Sequence, residues 1–197
     1  MALPQTKSLF LLFPLLVSPF IPTIFGENPS EFSKTIDVPE EPMRRQKLTS
    51  LHFYFHDIVS GRNATAVPVT KPPNPSSFFG VIMMMDDPLT EGPDPNSKPV
   101  GRAQGMYASA ALEELGFMQA MNLYFTAGKY NGSVLTVLGR NAPMHPIREM
   151  PVIGGSGLFR FATGYALART HWVDLKTGDA IVEYNVTVMQ SSPVLVG

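Results

Sequence analysis

Cysteine is absent from this sequence of 197 residues. Its absence excludes disulfide bonds, and it also excludes thiolate nucleophiles and metal sites built from cysteine ligands. The stability of the protein must therefore come from the burial of apolar side chains and from a complete network of backbone hydrogen bonds.

Charged residues are scarce. Asp, Glu, Lys and Arg make up 16% of the residues, and the formal net charge is -1. A chain without a strong basic field is a poor candidate for binding nucleic acid or an anionic membrane. We therefore expect neither nucleic acid nor a membrane as a partner of the mature protein.

The N-terminal segment is typical of a secretory signal peptide. Lys7 precedes an apolar stretch that ends near Gly26, and several prolines interrupt that stretch. The alternative, a membrane anchor, is disfavoured because the stretch is at the short end of what crosses a bilayer. We expect residues 1–26 to be removed as a signal peptide and residues 27–48 to form a flexible tail. The mature protein would then be secreted.

Short strand candidates follow one another from about Thr49, and 19 prolines and 16 glycines disfavour long helices. Asn131-Gly132 between two such candidates is a strong hairpin signal. The pattern predicts an all-β fold with about eight strand candidates over residues 49–190, followed by a C-terminal tail at 191–197. A closed barrel of about this strand number can hold one small ligand. The candidates are Leu51–Ile58, Phe78–Met85, Gly101–Ser109, Phe117–Ala127, Ser133–Gly139, Glu149–Ile153, Leu158–His171 and Ala180–Met189.

One segment, Ser109–Met121, has a better propensity for helix than for strand. Gly116 interrupts it, and from Phe117 onward the residues alternate as they do in a strand. We therefore expect at most a short helical turn near Leu112, with a strand after it.

The first strand candidate places a carboxylate among large apolar side chains. Phe53, Phe55 and Asp57 share one face because side chains alternate along a strand. Burial of a carboxylate without a partner would cost on the order of several kcal/mol. Asp57 must therefore face a sheltered cavity or a polar partner, and the sequence indicates a hollow β-structure with an acid inside it.

Metal binding and hydrolysis are disfavoured. His52 and His56 would lie about 13 Å apart on a strand, too far to share one ion, and on the face opposite Asp57. We interpret them as surface or subunit-contact histidines. The run 154–157 (Gly-Gly-Ser-Gly) lacks the lysine of a phosphate-binding loop and does not match a nucleophile elbow. We expect neither a metal nor a cofactor.

A sparse set of polar residues remains among the apolar strands. A carboxylic acid, a phenol and a guanidinium in one cavity could move protons to or from a bound phenolic compound. The alternative is an internal salt bridge, such as one between Asp57 and an arginine, that only closes the barrel. The set consists of Asp57, Arg102, Tyr107, Asn141, Arg148 and Arg160.

Three N-glycosylation sequons agree with the secretory route, with their acceptors at Asn63, Asn131 and Asn185. In the last strand candidate, Tyr184 and Val186 share one face. Asn185 would therefore point to solvent, where a glycan can be attached.

Several motifs in series resemble those of the plant dirigent proteins, and they run in order from about Thr49 to Met189. They are Phe53-Tyr54-Phe55-His56-Asp57-Ile58, Asp86-Asp87-Pro88-Leu89-Thr90, Val100-Gly101-Arg102-Ala103-Gln104-Gly105, Val152-Ile153-Gly154-Gly155-Ser156-Gly157 and Leu158-Phe159-Arg160-Phe161-Ala162.

The resemblance implies an eight-stranded antiparallel barrel related to lipocalins and allene oxide cyclases. It also implies a glycoprotein, secreted to the apoplast and assembled as a homo-oligomer (a dimer or trimer). In this family a separate oxidase, such as a laccase, makes phenoxy radicals from coniferyl alcohol, and the barrel directs their coupling to one enantiomer of a lignan. Some relatives instead remove water from an isoflavonoid alcohol and give a pterocarpan.

The resemblance also implies roles for individual residues. Asp57 and Arg148 match residues expected to be catalytic, and Tyr107 matches a substrate-binding tyrosine. Pinoresinol-forming members carry an aspartate where this chain has Asn141, which we expect to orient a substrate hydroxyl. We expect first the stereoselective coupling of monolignol radicals. The alternatives are dehydration of an isoflavanol and the carriage of phenolic compounds without chemistry.

Overall fold

The computed structural model describes residues 46–191. The predicted signal peptide, the predicted flexible tail up to residue 45, and the C-terminal tail after Ser191 lie outside the described residues. β1 begins at Gln46, three residues before the expected start of the barrel domain. Among the described residues there is no helix with the length and hydropathy needed to span a membrane.

Nine β-strands and two single-turn 3-10 helices make up the described part of the chain. The 3-10 turns are Gly128–Tyr130 and Gly157–Phe159. The strands are β1 (Gln46–Asp57), β2 (Ala66–Pro68), β3 (Ile82–Thr90), β4 (Pro99–Ser109), β5 (Phe117–Phe125), β6 (Val134–Asn141), β7 (Arg148–Ser156), β8 (Thr163–Val173) and β9 (Ala180–Ser191).

The strands form one antiparallel sheet that closes on itself. The order is β1-β9-β8-β7-β6-β5-β4-β3-β2, and β1 also pairs with β3. This closing seam is short, with Tyr54 opposite Thr90 and Phe55 opposite Leu89. β2 is a three-residue strand that pairs with β3. The eight longer strands therefore form the closed antiparallel barrel that the sequence predicted, and the all-β fold class is confirmed.

One end of the barrel is filled with aromatic side chains. Phe53 of β1 stacks on Tyr184 of β9 with ring centroids 5.7 Å apart and planes 6° apart. The 3-10 turn after β7 inserts Phe159, whose centroid lies 5.7 Å from Phe125 and 4.8 Å from Tyr130. Phe53 and Phe159 are at most 1% exposed. This end is therefore sealed by packing, and ligand access must come from the other end.

Gly105 sits where β4 approaches β5 too closely for a side chain. A Cβ atom at this position would lie 2.2 Å from the carbonyl oxygen of Ala120 and 2.8 Å from the Cα atom of Met121. Both obstacles are backbone atoms, which cannot rotate away as a side chain can. A glycine is therefore required at the point where the barrel curves.

We expect Gly105→Ala to lower the free energy of unfolding by about 3 kcal/mol, because the two strands must move apart. Urea denaturation monitored by circular dichroism measures the loss. Gly154→Ala, on β7, is the matched control, since a Cβ atom there meets nothing within 4 Å. Equal stability of the two variants would contradict the argument.

Several strand boundaries differ from the prediction, two of them by more than a short extension of the strand ends. β3 spans Ile82–Thr90 and not Phe78–Met85, so it continues through Asp86, Asp87 and Pro88. The segment expected to be a strand from Leu158 begins with a 3-10 turn, and β8 starts only at Thr163. Near Leu112 the chain bends between β4 and β5 without a helical turn, and β5 follows from Phe117, which agrees with the expectation of at most a short turn before a strand.

Candidate functional site

A ring of polar side chains lines the inside of the barrel at the end opposite the aromatic seal. Each member faces inward because it continues the alternation of the apolar residues on its strand. We call this set the polar ring. It consists of Asp57 (β1), Tyr107 (β4), Gln119 (β5), Asn141 (β6), Arg148 (β7) and Thr170 (β8).

Hydrogen bonds join neighbouring members of the polar ring. Asn141 Nδ2 donates to Gln119 Oε1 at 3.0 Å, and Arg148 Nε donates to Asn141 Oδ1 at 3.1 Å. Arg148 Nη1 donates to Thr170 Oγ1 at 2.9 Å. Gln119 is paired in register with Tyr107, which continues the ring toward Asp57. The hydrogen bonds therefore join the ring members in two groups, which meet where Gln119 lies opposite Tyr107.

Asp57 and Tyr107 form the acidic side of the ring. Tyr107 Oη donates to Asp57 Oδ1 over 3.3 Å. Burial, partly offset by the Tyr107 hydrogen bond, raises the pKa of Asp57 to about 6. Burial and the neighbouring Asp57 raise the pKa of Tyr107, so the phenol keeps its proton. Asp57 can therefore give and take a proton near neutral pH, while Tyr107 acts as a hydrogen-bond donor.

Arg148 forms the cationic side of the ring. It is 5% exposed, and burial lowers its pKa. Its two hydrogen bonds go to neutral groups, and no carboxylate of residues 46–191 forms a salt bridge with it. A buried cation without an anionic partner is costly, so the guanidinium is available to an electron-rich ligand.

The polar ring stands at the mouth of the barrel. Asp57, Phe117 and Thr170 face inward, yet each is partly exposed, whereas inward residues nearer the other end are fully buried. Phe117 lies beside Tyr107 with ring centroids 5.0 Å apart. The inner surface thus combines an apolar and aromatic floor with one polar rim that contacts solvent, which is the usual design of a small-molecule site.

The structure brings all four predicted site residues together at this rim. Tyr107 contacts Asp57, and Asn141 contacts Arg148. The charges of Arg148 and Asp57 both act on the buried Tyr184, whose pKa is raised mainly by burial. The internal salt bridge considered as the alternative is absent among residues 46–191, since Asp57 forms no ion pair there.

Two arginines of the candidate set do not belong to the site. Arg102 points outward and pairs with Asp86, and Arg160 is exposed on the connection between β7 and β8. The interpretation of the histidines holds only in part. His52 is exposed and lies 2.9 Å from Glu183. His56 is 2% exposed, with Nε2 2.6 Å from Thr90 Oγ1, so a surface position was wrong for it.

The three predicted glycan acceptors all lie on the surface. Asn63 and Asn131 are exposed in loops, and Asn185 is exposed on the outer face of β9. Their accessibility is compatible with glycosylation, which stays a prediction.

Sequence reasoning missed three polar residues inside the barrel. Gln119 and Thr170 continue the inward alternation of β5 and β8, so their positions could have been derived from the pattern. Asp87 was missed because its strand was expected to end at Met85. It is 0% exposed, and burial followed by the charge of Asp57 raises its pKa to about 8.

Comparisons with known proteins agree with this fold. The model of the dirigent-like protein family matches residues 48–189. Dirigent protein 23 of Arabidopsis thaliana is 53% identical over 152 residues, covering 76% of this chain and 81% of that protein. Pterocarpan synthase 1 of Glycine max is 50% identical over 149 residues, covering 74% and 80%.

A solved structure extends the similarity to three dimensions. The pterocarpan synthase dirigent protein GePTS1 superposes with a TM-score of 0.74 at 46% identity, covering 80% of this chain and 92% of that one. Fold, motifs and the match over residues 48–189 agree. The chain belongs to the dirigent protein family.

Proposed function

We propose that this protein converts a phenolic benzylic alcohol, of the isoflavanol class, through a quinone methide into a cyclic ether of one handedness. The observation that carries the proposal is that the inner face of the barrel carries, on the same polar ring, a protonatable acid (Asp57) and a buried guanidinium (Arg148) that lacks a carboxylate partner among residues 46–191. Relatives and solved structures described as pterocarpan synthases support this substrate class.

The chemistry begins with the departure of water. The carboxyl group of Asp57 donates its proton to the benzylic hydroxyl, the carbon–oxygen bond breaks, and water leaves. The para or ortho phenol gives up its proton to the Asp57 carboxylate and becomes the carbonyl of a quinone methide. Arg148 stabilises the negative charge that develops on that oxygen.

Ring closure completes the reaction. A second phenolic hydroxyl of the same molecule adds to the benzylic carbon, and its proton passes to the quinone methide oxygen, which restores the first phenol. No oxidant or cofactor is needed, because the products are the cyclic ether and one water. Tyr107 and Phe117 form an aromatic wall against which the planar ring can lie. That wall limits the face from which the hydroxyl approaches.

The stereoselective coupling of coniferyl alcohol radicals is the second candidate. The apolar floor and aromatic wall suit a planar phenoxy radical, and a difference of about 1.4 kcal/mol between two approach faces gives a tenfold preference. A separate oxidase such as a laccase would supply the radicals. The position held by aspartate in pinoresinol-forming relatives is Asn141 here, which places this candidate second.

One assay separates the candidates. Purified protein is incubated with a 2′-hydroxyisoflavanol, or with coniferyl alcohol and a laccase, and the products are resolved by chiral chromatography. We expect accelerated formation of one pterocarpan enantiomer in the first reaction. A racemic, unaccelerated product there with an enantiomerically enriched lignan in the second reaction would replace the first candidate by the second. Tight binding with unchanged products in both would identify a carrier.

The Asn141→Asp variant tests the difference between the candidates directly. A carboxylate at this position would pair with Arg148, whose Nε lies 3.1 Å from Asn141 Oδ1. We expect dehydration to fall about tenfold, because the guanidinium is neutralised, and we expect the enantiomeric excess of lignan coupling to rise. Asn122→Asp on the exposed outer face of β5 is the control, and an equal loss there would contradict the argument.

Secretion and assembly complete the proposal. We expect an extracellular glycoprotein of the apoplast that forms a homo-oligomer. Expression of the full sequence in plant cells, followed by glycosidase treatment of the apoplastic fluid and light scattering of the purified protein, tests the three expectations separately.

A further inference from the structure

The seam that closes the barrel brings two carboxyl groups face to face. In the register of β1 and β3, Phe55 lies opposite Leu89, and the next inward-facing residues along the two strands are Asp57 and Asp87. The backbone ladder does not continue between them, since Pro88 has no N–H to donate. Two acids therefore meet at the one point where the sheet is joined.

The hydrogen bonds around Asp87 indicate that its Oδ2 atom carries a proton. Thr65 Oγ1 accepts a hydrogen bond from the Ile58 N–H at 3.3 Å and donates its own proton to Asp87 Oδ1. Asp87 Oδ2 is buried and has no hydrogen-bond partner among residues 46–191. A bare carboxylate oxygen in such a place is costly, whereas a protonated one is not.

The surroundings of the pair contain no cation inside the barrel that reaches Asp87. Among residues 46–191, the titratable groups inside the barrel that act on Asp87 are acids and phenols, and the cation that acts on it, Arg102, points outward and is engaged with Asp86. The titratable and charged groups that face the pair are Asp57 (β1), Asp86 (β3), Arg102 and Tyr107 (β4), Tyr184 (β9), and Asp179 in the turn before β9.

We propose that Asp57 and Asp87 are a carboxyl pair that shares one proton at neutral pH, with Asp87 as the positioning residue. The inference deepens the proposed function, because Asp57 is the acid of that reaction. Asp87 stays protonated, and therefore neutral, when Asp57 gives up its proton to the substrate. The two groups therefore titrate as a unit, in two steps that belong to the pair.

Carboxyl titration by carbon-13 NMR of the intact barrel tests the pair without any substrate. We expect both aspartate signals of the unmodified protein to show two steps, one near pH 6 and one near pH 8. In Asp57→Asn, the pKa of Asp87 falls because the neighbouring charge is gone. Independent single-step curves, with Asp87 titrating at its ordinary pKa near 4, would overturn the proposal.

Stability gives a second readout. Because the folded-state pKa of Asp87 is raised from 3.8 to about 8, the folded protein holds a proton that the unfolded chain releases. The stability from this group is therefore present below pH 4 and is lost as the pH rises to 8. We expect the unfolding equilibrium constant of the wild type, divided by that of Asp87→Asn, to increase at least tenfold from pH 5 to pH 8.

Asp86→Asn is the matched control, since Asp86 lies on the same strand but points outward. An identical pH dependence for Asp87→Asn and Asp86→Asn would overturn the proposal. If Asp87→Asn does not fold, the two-step titration of the unmodified protein and the shift in Asp57→Asn decide it. The NMR titration and the unfolding measurements contain no substrate. A failed activity assay would therefore contradict the proposed function but not the shared proton of Asp57 and Asp87.

Discussion

Replacing Asp57 by asparagine is expected to lower the turnover of an isoflavanol by about 100-fold or more. Asparagine has nearly the same shape, and its carbonyl oxygen can still accept the hydrogen bond from Tyr107. It cannot donate a proton to a departing hydroxyl. The barrel should remain folded, and its stability at pH 8 should not decrease, because a carboxyl group next to Asp87 and Asp179 has been removed.

The pH profile of the unmodified protein identifies the form of Asp57 that acts. A carboxylic acid with a pKa of about 6 is the proton donor only below that value. The rate should therefore fall as the pH rises through 6, and the descending limb should vanish in Asp57→Asn. Glu183→Gln, on the outer face of β9, is the control. A rate that rises with pH would instead identify Asp57 as a base.

Replacing Arg148 by methionine should separate activity from stability. We expect the rate to fall about 100-fold, since the stabilisation of the developing oxyanion is lost. The free energy of unfolding should change by no more than about 1 kcal/mol, because the loss of two hydrogen bonds is offset by the removal of a buried charge without an acidic partner. A variant that loses activity without losing stability is typical of a replaced residue whose role is catalytic.

Arg140→Met provides the comparison for that experiment. Arg140 lies on β6 next to Asn141, but it is exposed and pairs with Glu114 outside the barrel. Its removal should leave turnover unchanged. Thermal unfolding and steady-state kinetics are measured on both variants. A loss of stability of several kcal/mol in Arg148→Met would show that the guanidinium is a structural group, and the catalytic assignment would then be wrong.

Local patterns were sufficient for the all-β fold class, and the motifs that resemble those of dirigent proteins implied the closed barrel. Alternation along β1, β5 and β9 placed Phe53, Phe117 and Tyr184 inside, and the Asn131-Gly132 turn marked one hairpin. These signals depend on side-chain direction and turn geometry, which neighbouring residues decide. The same alternation placed Asp57 in the interior before any partner was known.

Other features depend on contacts between distant strands. The strand candidate was expected to end at Met85, yet β3 continues through Asp86-Asp87-Pro88. Pro88 is tolerated because the β1–β3 ladder ends there. His56 was expected at the surface because it is on the outward face, but the side chain is covered near Thr90. Neither the course of β3 nor the burial of His56 follows from the local sequence.

The order of residues by itself determined that this chain is rich in strands and that Asp57 shares a strand face with Phe53 and Phe55, because alternation and turns act over a few residues. Only the tertiary structure decided which groups meet at the mouth. Asp57 and Asp87 are 30 positions apart, and their shared proton arises because the barrel closes at that seam. Only the tertiary structure likewise decided that Arg148 has no acidic hydrogen-bond partner, since the groups that it contacts lie on separate strands and are neutral.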